Sequence, residues 1–434
     1  MRTILPAVSC LISAMHSPAA AQSTAQPAAT NIAASPALKA RIDALPGMIN
    51  GTGDFEDFFA PAFKAQVPKA QFDRIGPQLK AQYGAVTKVE KVIASSPHAA
   101  TVELGFERGI AAIEIVVDPT PPHRVTGLLV SRIEPRGDTV AKIEAEIRAL
   151  PGTAAFGVYA LGDRMTPVSE LAGSQPMPIG SAFKLWILAE AARQVKAGTR
   201  KWSDVVTLDS RSIPSGITQR WPAGAPVTLH TLATLMISIS DNTATDALLG
   251  ALGRGRVDAM VAQTGAANPA ATLPLLTTME LFQLKAPANA DLAAQWKAAG
   301  PEARRKLLAD NRARLAATQI NPSMFGDKPL APDVEWFASP RDEAAVLNWL
   351  RVEGGEQALA ILAVNPGMPG TALFDYVGFK GGSEPGVIYA SWLVRTKKGN
   401  WLAVTGGWTR RDAAVDERGF MMLMSRLLTQ VAAR

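Results

Sequence analysis

The sequence predicts an α/β protein with two domains, a small α+β domain followed by a larger one that combines a sheet with a helical lobe. The chain has 434 residues, enough for two domains that each bury a core. In the first part, two helical stretches precede four strand-like runs. In the second part, strand-like runs stand at both ends and helical stretches fill the middle.

The N-terminus has the three-part pattern of a secretory signal peptide. A basic start at Met1-Arg2 precedes a mostly apolar run over 4–15, and three alanines ending at Ala21 follow. We therefore expect a signal peptide at 1–21, cleaved near Ala21, and a periplasmic or secreted protein. Residues 22–35 are rich in Ala, Pro, Ser and Thr, which predicts a flexible linker.

Composition and charge argue against several classes of protein. The one cysteine, Cys10, lies in the predicted signal peptide, so thiol catalysis, disulfides and thiolate metal sites are not expected in the mature chain. The histidines His98, His123 and His230 stand far apart, which argues against a metal site. The formal net charge of +6 is small for this length and scattered. We expect a small-molecule substrate, with no cofactor, no nucleic-acid partner and no transmembrane segment in the mature chain.

The small domain is predicted over residues 36–136. No cluster of His, Asp or Glu stands out in it, so the sequence assigns it no chemistry. Helices followed by consecutive antiparallel strands resemble the cystatin-like and NTF2-like modules that are often fused to secreted enzymes. The predicted elements are the helices Pro36–Leu45 and Lys69–Tyr83 and the strands Val86–Ala94, Ala100–Phe106, Ile110–Val117 and His123–Ile133.

The larger domain is predicted over residues 137–434. Its sheet takes strands from both ends of the segment, with a helical lobe between them. The predicted elements include the helices Thr139–Leu150, Ser181–Lys196 and Asp416–Ala433 and the strands Ala154–Leu161, Met165–Ser169, Phe374–Phe379, Val387–Thr396 and Trp401–Trp408.

The first chemical motif is Ser181-Ala182-Phe183-Lys184 at the predicted start of a helix. Residues three apart share one face of a helix, so the Ser181 hydroxyl and the Lys184 amine point into one space. A serine needs an adjacent base to become a nucleophile, and a lysine can be that base only where burial or another cation lowers its pKa. On its own the motif also fits a helix cap beside a solvated lysine.

Two further motifs follow along the chain. Ser240-Asp241-Asn242 lies on a predicted turn between helices, where the Ser240 hydroxyl can pass a proton and the Asn242 amide can hold Lys184 or a substrate carbonyl. Lys380-Gly381-Gly382-Ser383 follows a strand-like run; its glycines let a substrate approach the backbone, and its lysine adds a second positive charge. Alone, each also fits a local role, as a cap or as a glycine turn.

In this order and spacing, the three motifs resemble the signature of class A β-lactamases and penicillin-binding proteins over about residues 138–434. The resemblance implies a β-lactamase/transpeptidase-like domain with an antiparallel sheet and a helical lobe. It implies that Ser181 attacks an acyl carbon while Lys184 takes its proton. Ser240 then relays a proton to the leaving nitrogen, with Lys380 beside it. The implied substrate and oxyanion site consists of Asn242, Gly382, Ser383 and the N–H of Ser181.

The sequence departs from that family at the glutamate that activates the deacylating water. The corresponding stretch, 265–276, contains no acidic residue. Glu280 comes next and is the candidate deacylation base. However, Thr277-Thr278-Met279-Glu280 also has the form of a helix capping box, the interpretation that we favour. If it holds, deacylation is slow or uses another route.

Two other departures concern the substrate site and an insertion. Gly381 stands where the family has a hydroxyl residue that helps hold a substrate carboxylate, and Ser383 is the candidate to compensate. An insertion over 285–332, with a charged helical stretch at 301–320, is expected to be a solvated helical addition rather than a lid or an oligomer contact.

The leading functional hypothesis is a serine β-lactamase-like hydrolase that acts on β-lactams. An esterase or D,D-peptidase with the same acyl-enzyme chemistry is the first alternative, and a β-lactam-binding sensor without turnover is the second. The domain layout also resembles the β-lactamase-like proteins of clavulanate biosynthetic clusters. That resemblance implies that the physiological reaction can differ from β-lactam hydrolysis.

Overall fold

The computed structural model describes residues 33–209, 211–321, 326, 328–368 and 371–434. The predicted signal peptide, with Cys10, and most of the predicted linker lie outside those residues. The chain separates into two compact units. The first holds residues up to 105 together with 113–129, and the second holds 106–112 and 130–434.

Phenylalanines form much of the core of the first unit. Phe59 and Phe63 stack with ring centroids 4.2 Å apart and planes 9° from parallel, and Phe55 and Phe72 pack against Phe59. Ser35 caps the first helix by accepting a hydrogen bond from a backbone N–H three residues on. The helices of this part of the chain are α1 (Pro36–Asn50), α2 (Phe55–Phe58), α3 (Pro61–Gln66) and α4 (Lys69–Tyr83).

Four strands follow these helices and form one sheet in consecutive order. Each lies within two residues of its predicted bounds, so the predicted order of helices and strands is confirmed. The likeness to cystatin-like and NTF2-like modules stays a prediction. The strands are β1 (Val86–Ser96), β2 (Ala99–Phe106), β3 (Gly109–Val117) and β4 (Val125–Pro135).

The second unit contains strands from both ends of its sequence and a largely helical middle, as predicted. Its strands are β5 (Thr153–Leu161), β6 (Met165–Leu171), β7 (Met177–Pro178), β8 (Val205–Thr207), β9 (Pro226–Thr228), β10 (Phe337–Ala338), β11 (Phe374–Glu384), β12 (Val387–Thr396) and β13 (Trp401–Thr409). Its helices are α5 (Val140–Arg148), α6 (Lys184–Lys196), α7 (Leu229–Ser238), α8 (Asn242–Leu252), α9 (Arg254–Gln263), α10 (Thr278–Lys285), α11 (Ala290–Ala298), α12 (Pro301–Asp310), α13 (Arg312–Ala317), α14 (Pro340–Glu353), α15 (Gly355–Leu362) and α16 (Glu417–Ala432).

A five-stranded antiparallel sheet in the order β11-β12-β13-β5-β6 forms the centre of this unit. Alternate residues of a strand face opposite sides of a sheet. In β12, Ile388 and Trp392 pack in one core with α5 and α16. Tyr389 and Leu393 pack in the other core with α6 and the helical lobe. The sheet is therefore covered by helices on both faces.

Helix α6 lies at the centre of the second core. Leu185, Trp186, Ile187 and Leu188 are all fully buried, so the first turn of the helix is covered on every side. Such a helix holds the residues at its N-terminus in a rigid setting. No helix within the described ranges is long and apolar enough to cross a membrane.

The insertion at 285–332 differs from the solvated addition that we expected. Leu292 and Trp296 of α11, Leu307 and Leu308 of α12 and Leu315 of α13 are buried in the main core of the second unit. The high charge of the stretch suggested exposure, but its apolar residues recur at helical spacing and cover one face. The insertion is thus an integral layer of the helical lobe.

Candidate active site

Ser181 lies on a tight 3₁₀ turn, Gly180–Phe183, that leads directly into α6. The predicted helix start at Ser181 is therefore corrected, because the α-helix begins only at Lys184. A 3₁₀ turn has three residues per turn, so residues i and i+3 lie directly above one another. This tighter winding keeps Ser181 and Lys184 on the same side of the chain, as the motif predicts.

The Lys184 side chain is fully buried and reaches the Ser-Asp-Asn motif. Its Nζ donates hydrogen bonds to Ser240 O at 2.8 Å, Ser240 Oγ at 3.0 Å and Asn242 Oδ1 at 2.9 Å. Burial, and then the charge of Lys380, lower the pKa of Lys184 well below its ordinary value, while Asp246 and Asp241 act in the opposite direction. The amine is therefore far easier to deprotonate than that of an exposed lysine.

Asp241 holds the Ser-Asp-Asn turn in place. Its carboxylate accepts hydrogen bonds from Ile217 N, Thr218 N and Thr218 Oγ1, and it caps α8 by accepting from Ala244 N. This bonding supports Ser240 in the left-handed region, with φ of 57°, where a non-glycine residue is strained. The strained backbone directs both Ser240 O and Ser240 Oγ at Lys184.

The Lys-Gly-Gly-Ser motif lies inside β11, which continues to Glu384 rather than ending at Phe379 as predicted. The strand continues because Lys380 pairs with Ser391 of β12, and the pairing extends to the end of the motif. Lys380 Nζ donates to Ser240 Oγ at 3.1 Å. One hydroxyl therefore lies between two lysine amines.

Burial lowers the pKa of Lys380 to about 7, against the opposing charge of Glu343. Glu343, on α14, is fully buried and accepts a hydrogen bond from Ser391 Oγ at 2.8 Å. Because Ser391 is the cross-strand partner of Lys380, the Glu343 carboxylate lies on the same face of the sheet as the lysine and close to it. Burial raises the pKa of Glu343 to about 8.

The backbone of β11 packs against the Ser181 turn. A Cβ added at Gly382 would lie 2.4 Å from Ser181 N and 2.2 Å from Ile179 O, and one added at Gly180 would lie 3.3 Å from Ser383 N. Such contacts leave room only for glycine at 382. The N–H-bearing nitrogens of Ser181 and Ser383 are thereby brought to neighbouring positions, as the predicted oxyanion site requires.

All of the predicted catalytic residues belong to one region of the second unit. A cavity of about 450 Å³ is lined by Ser181, Ser240, Asn242 and the Lys380–Ser383 segment. Lys184 donates hydrogen bonds to Ser240 and Asn242 of this lining. Among the described residues, no group of three His, Cys, Asp or Glu side chains is placed to hold a metal ion. The arrangement offers nucleophile, amine and hydroxyl relay within one pocket.

Residues 138–348 match the Beta-lactamase enzyme family. The second unit has a β-lactamase-like α/β fold, with an antiparallel sheet and helices. Similar solved structures include a β-lactamase from Sphaerobacter thermophilus DSM 20745, at 21% identity and a TM-score of 0.47 over 68% of this chain and 97% of that chain. A β-lactamase from Chitinophaga pinensis DSM 2588 aligns at 16% identity with a TM-score of 0.48, over 68% of this chain and 98% of that chain. PBP-A aligns at 19% identity with a TM-score of 0.45, over 67% of this chain and 94% of that chain. A comparison with curated protein sequences finds no match.

Within this β-lactamase-like unit, Glu280 lies at a helix end. It forms a capping box with Thr277, accepting from Thr277 N at 2.9 Å while Thr277 Oγ1 accepts from Glu280 N at 3.0 Å. Arg254 also donates to its carboxylate at 2.6 Å. Glu280 lines a different cavity, shared with Arg254 and Arg305. Its carboxylate is thus engaged in the cap, the arrangement that we favoured from the sequence.

Sequence reasoning missed three charged residues beside the predicted site of the β-lactamase-like unit. Glu335 and Glu384 line the same cavity as Ser181, and Lys285 donates hydrogen bonds to both carboxylates. Glu384 directly follows the Lys-Gly-Gly-Ser motif, which was the one local signal available. Glu335 lies far from every motif in the sequence.

Proposed function

We propose that this protein is a serine hydrolase that forms an acyl-enzyme on Ser181, with β-lactams as acyl donors. The observation that carries the proposal is the buried Lys184 amine, hydrogen-bonded to Ser240 and Asn242 beside the cavity that Ser181 lines. Burial and then the charge of Lys380 lower its pKa well below the ordinary lysine value, so it gives up its proton far more readily than an exposed lysine. A buried neutral amine next to a hydroxyl is the requirement for an activated serine.

The contacts support a complete acylation step. Lys184 takes the proton of Ser181, whose Oγ then forms a bond to the acyl carbon. The oxyanion binds the N–H groups of Ser181 and Ser383. As the bond from the acyl carbon to the leaving nitrogen breaks, Ser240 gives that nitrogen a proton. Ser240 regains a proton from the amines that contact its hydroxyl at 3.0 Å and 3.1 Å.

A second candidate function is ester hydrolysis with the same chemistry. The part of the site around Gly381 and Ser383 favours it. Gly381 has no hydroxyl, and a Cβ added there would lie 2.8 Å from the Phe379 ring. The Ser383 hydroxyl, our candidate to compensate, interacts instead with the Glu417 carboxyl. A substrate carboxylate thus meets fewer hydroxyl donors here than the resemblance implies, which favours acyl donors that lack one.

Intact-mass measurement after mixing with penicillin G tests the acyl-enzyme. We expect a mass increase equal to one penicillin molecule, absent in Ser181→Ala. Failure of the unaltered protein both to gain this mass and to hydrolyse penicillin, at millimolar concentration, would contradict β-lactam acylation. Parallel rates with a chromogenic cephalosporin and a p-nitrophenyl ester separate the two functions, since an esterase hydrolyses only the ester rapidly.

A further inference from the structure

A buried cluster of one lysine and two glutamates forms part of the wall of the Ser181 cavity. Lys285, the last residue of α10, donates to Glu335 Oε1 and to Glu384 Oε1. The side chains of Lys285 and Glu335 are 1% exposed, and that of Glu384 is 15% exposed. Burying three charges is costly unless they are paired, and here two carboxylates share one ammonium. Two carboxyl groups therefore compete for one ammonium group beside the nucleophile.

The backbone holds this cluster close to Ser181 from two directions. Trp336, the neighbour of Glu335, accepts a hydrogen bond from Ile179 N at 3.0 Å. Its ring stacks on Phe183, with centroids 3.8 Å apart and planes 7° from parallel. From the other direction, Glu384 directly follows Ser383 in β11. Trp336 thus ties the backbone next to Glu335 to the residues two positions before and two positions after the nucleophile, within the core.

One of the two carboxylate oxygens of Glu335 accepts no hydrogen bond from the described residues. Its Oε1 accepts from Lys285, while its Oε2 is buried and has no hydrogen-bond donor among the described residues. A buried carboxylate oxygen without a donor is unfavourable unless it serves a purpose, because burial removes its water. Glu335 also lines the Ser181 cavity, so its carboxyl is in a position to accept a proton there.

We propose that Glu335 is the general base for hydrolysis of the Ser181 acyl-enzyme, and that Lys285 and Glu384 are its positioning residues. The proposal rests on the proposed function. Glu335 takes a proton from water as the water oxygen bonds to the acyl carbon. The bond from that carbon to Ser181 Oγ then breaks, Oγ regains a proton, and the acid product leaves. No reactant other than water is needed.

The charges around Glu335 determine when it can act. Burial raises its pKa well above the ordinary carboxyl value, the neighbouring Glu384 raises it further, and Lys285 lowers it. A base works in its deprotonated form, so deacylation should rise with pH through this raised pKa. Replacing Glu384 by Gln removes a like charge and should shift the rise to lower pH. Replacing Lys285 by Met removes the opposing charge and should shift it to higher pH.

Adduct lifetimes measured by intact mass test the proposal. The unaltered protein and Glu335→Gln are acylated with penicillin G, freed of excess drug and followed over time. We expect Glu335→Gln to acylate at a similar rate but to lose its adduct about 10²–10⁴-fold more slowly, the usual effect of losing a general base. Glu302→Gln, the same change at an exposed position of the insertion, should lose its adduct at the unaltered rate.

The outcomes separate the two proposals. If neither the unaltered protein nor Glu335→Gln forms an adduct, the acyl-enzyme itself is wrong. Adducts that form on both proteins and decay equally fast, or equally slowly, overturn the role of Glu335. Glu280→Gln tests the glutamate of the capping box. A long-lived adduct in that variant alone would also overturn the role of Glu335. A rise with pH that stays in place in Glu384→Gln would show that this residue does not position the base.

Discussion

Two lysine amines approach one hydroxyl in this site, and their mutual repulsion governs its chemistry. Lys184 and Lys380 both donate to Ser240 Oγ. Two ammonium ions at such a distance are unfavourable in a buried setting, so one amine gives up its proton more easily. Burial and then the charge of Lys380 lower the pKa of Lys184 well below its ordinary value, which favours Lys184 as the amine that gives up its proton. The residue pair therefore supplies a base and a cation together.

Replacing Lys184 by Met should abolish most of the acylation. The side chain keeps its volume but loses the only amine that the structure holds beside both Ser240 and Asn242 within the described residues. We expect the acylation rate to fall by about 10²–10⁴-fold. Rapid-quench mass measurement checks this, with Lys306→Met, a 75% exposed lysine, as the matched control. A loss below about threefold would contradict the base role.

The two lysines also predict a bell-shaped dependence of acylation on pH. The rate should rise as Lys184 loses its proton and fall as Lys380, with its pKa of about 7, loses its charge. Glu343 opposes the loss of that charge, because a nearby carboxylate favours the ammonium form. In Glu343→Gln the falling limb should therefore move to lower pH.

Second-order acylation rates between pH 5 and pH 10 measure this shift directly. Because Gln keeps the shape of Glu343 and can keep its contact with Ser391, a merely structural role would leave the pH of the falling limb unchanged. A falling limb at the same pH in both proteins would contradict the electrostatic role.

Among the elements, β11 and the Ser181 turn fit together so closely that one methyl group should disturb them. In Gly382→Ala the new Cβ would overlap Ser181 N and Ile179 O, so the strand must move away from the turn. The oxyanion donors then separate, and we expect acylation to fall by about 10²–10³-fold, the effect of losing one donor.

The same acylation assay, run beside thermal unfolding, tests this prediction. Gly162→Ala is the matched control, since a Cβ there meets nothing within 4 Å. Normal acylation by Gly382→Ala would show that the strand can shift without opening the oxyanion site.

Elements with a strong local pattern were predictable. Strand-like runs between turn signals predicted the sheet strands, and the capping box predicted the contact between Thr277 and Glu280, because both depend on neighbours in the sequence. The start of α6 and the end of β11 were predicted wrongly. Both depend on contacts from elsewhere, namely the packing of β11 on the Ser181 turn and its pairing with β12.

For the molecule as a whole, the insertion belongs to the core of the β-lactamase-like unit. Trp296 is 1% exposed, its backbone carbonyl accepts from Arg304 Nε at 3.1 Å, and the Arg304 guanidinium lies 4.9 Å from its ring. We expect Trp296→Ala to lower the free energy of unfolding by about 3–5 kcal/mol, as for a buried aromatic residue.

Urea unfolding of the full chain measures this loss. Val205→Ala, at a 64% exposed position, is the control and should change the free energy of unfolding by less than about 0.5 kcal/mol. An equally small effect of Trp296→Ala would support the solvated addition that the charge of the stretch first suggested.

By itself, the sequence determined the residues that we propose for acylation. Ser181, Lys184, Ser240 and Lys380 stand in short motifs, and short-range rules connect each motif to a turn, a cap or a strand. Only the tertiary structure decided which glutamates join them. Glu335 meets Lys285 across 50 positions and Glu384 meets Lys285 across 99, and no local pattern encodes such a meeting. The pKa of a buried charge depends on which neighbours share its burial, and folding alone brings those neighbours together.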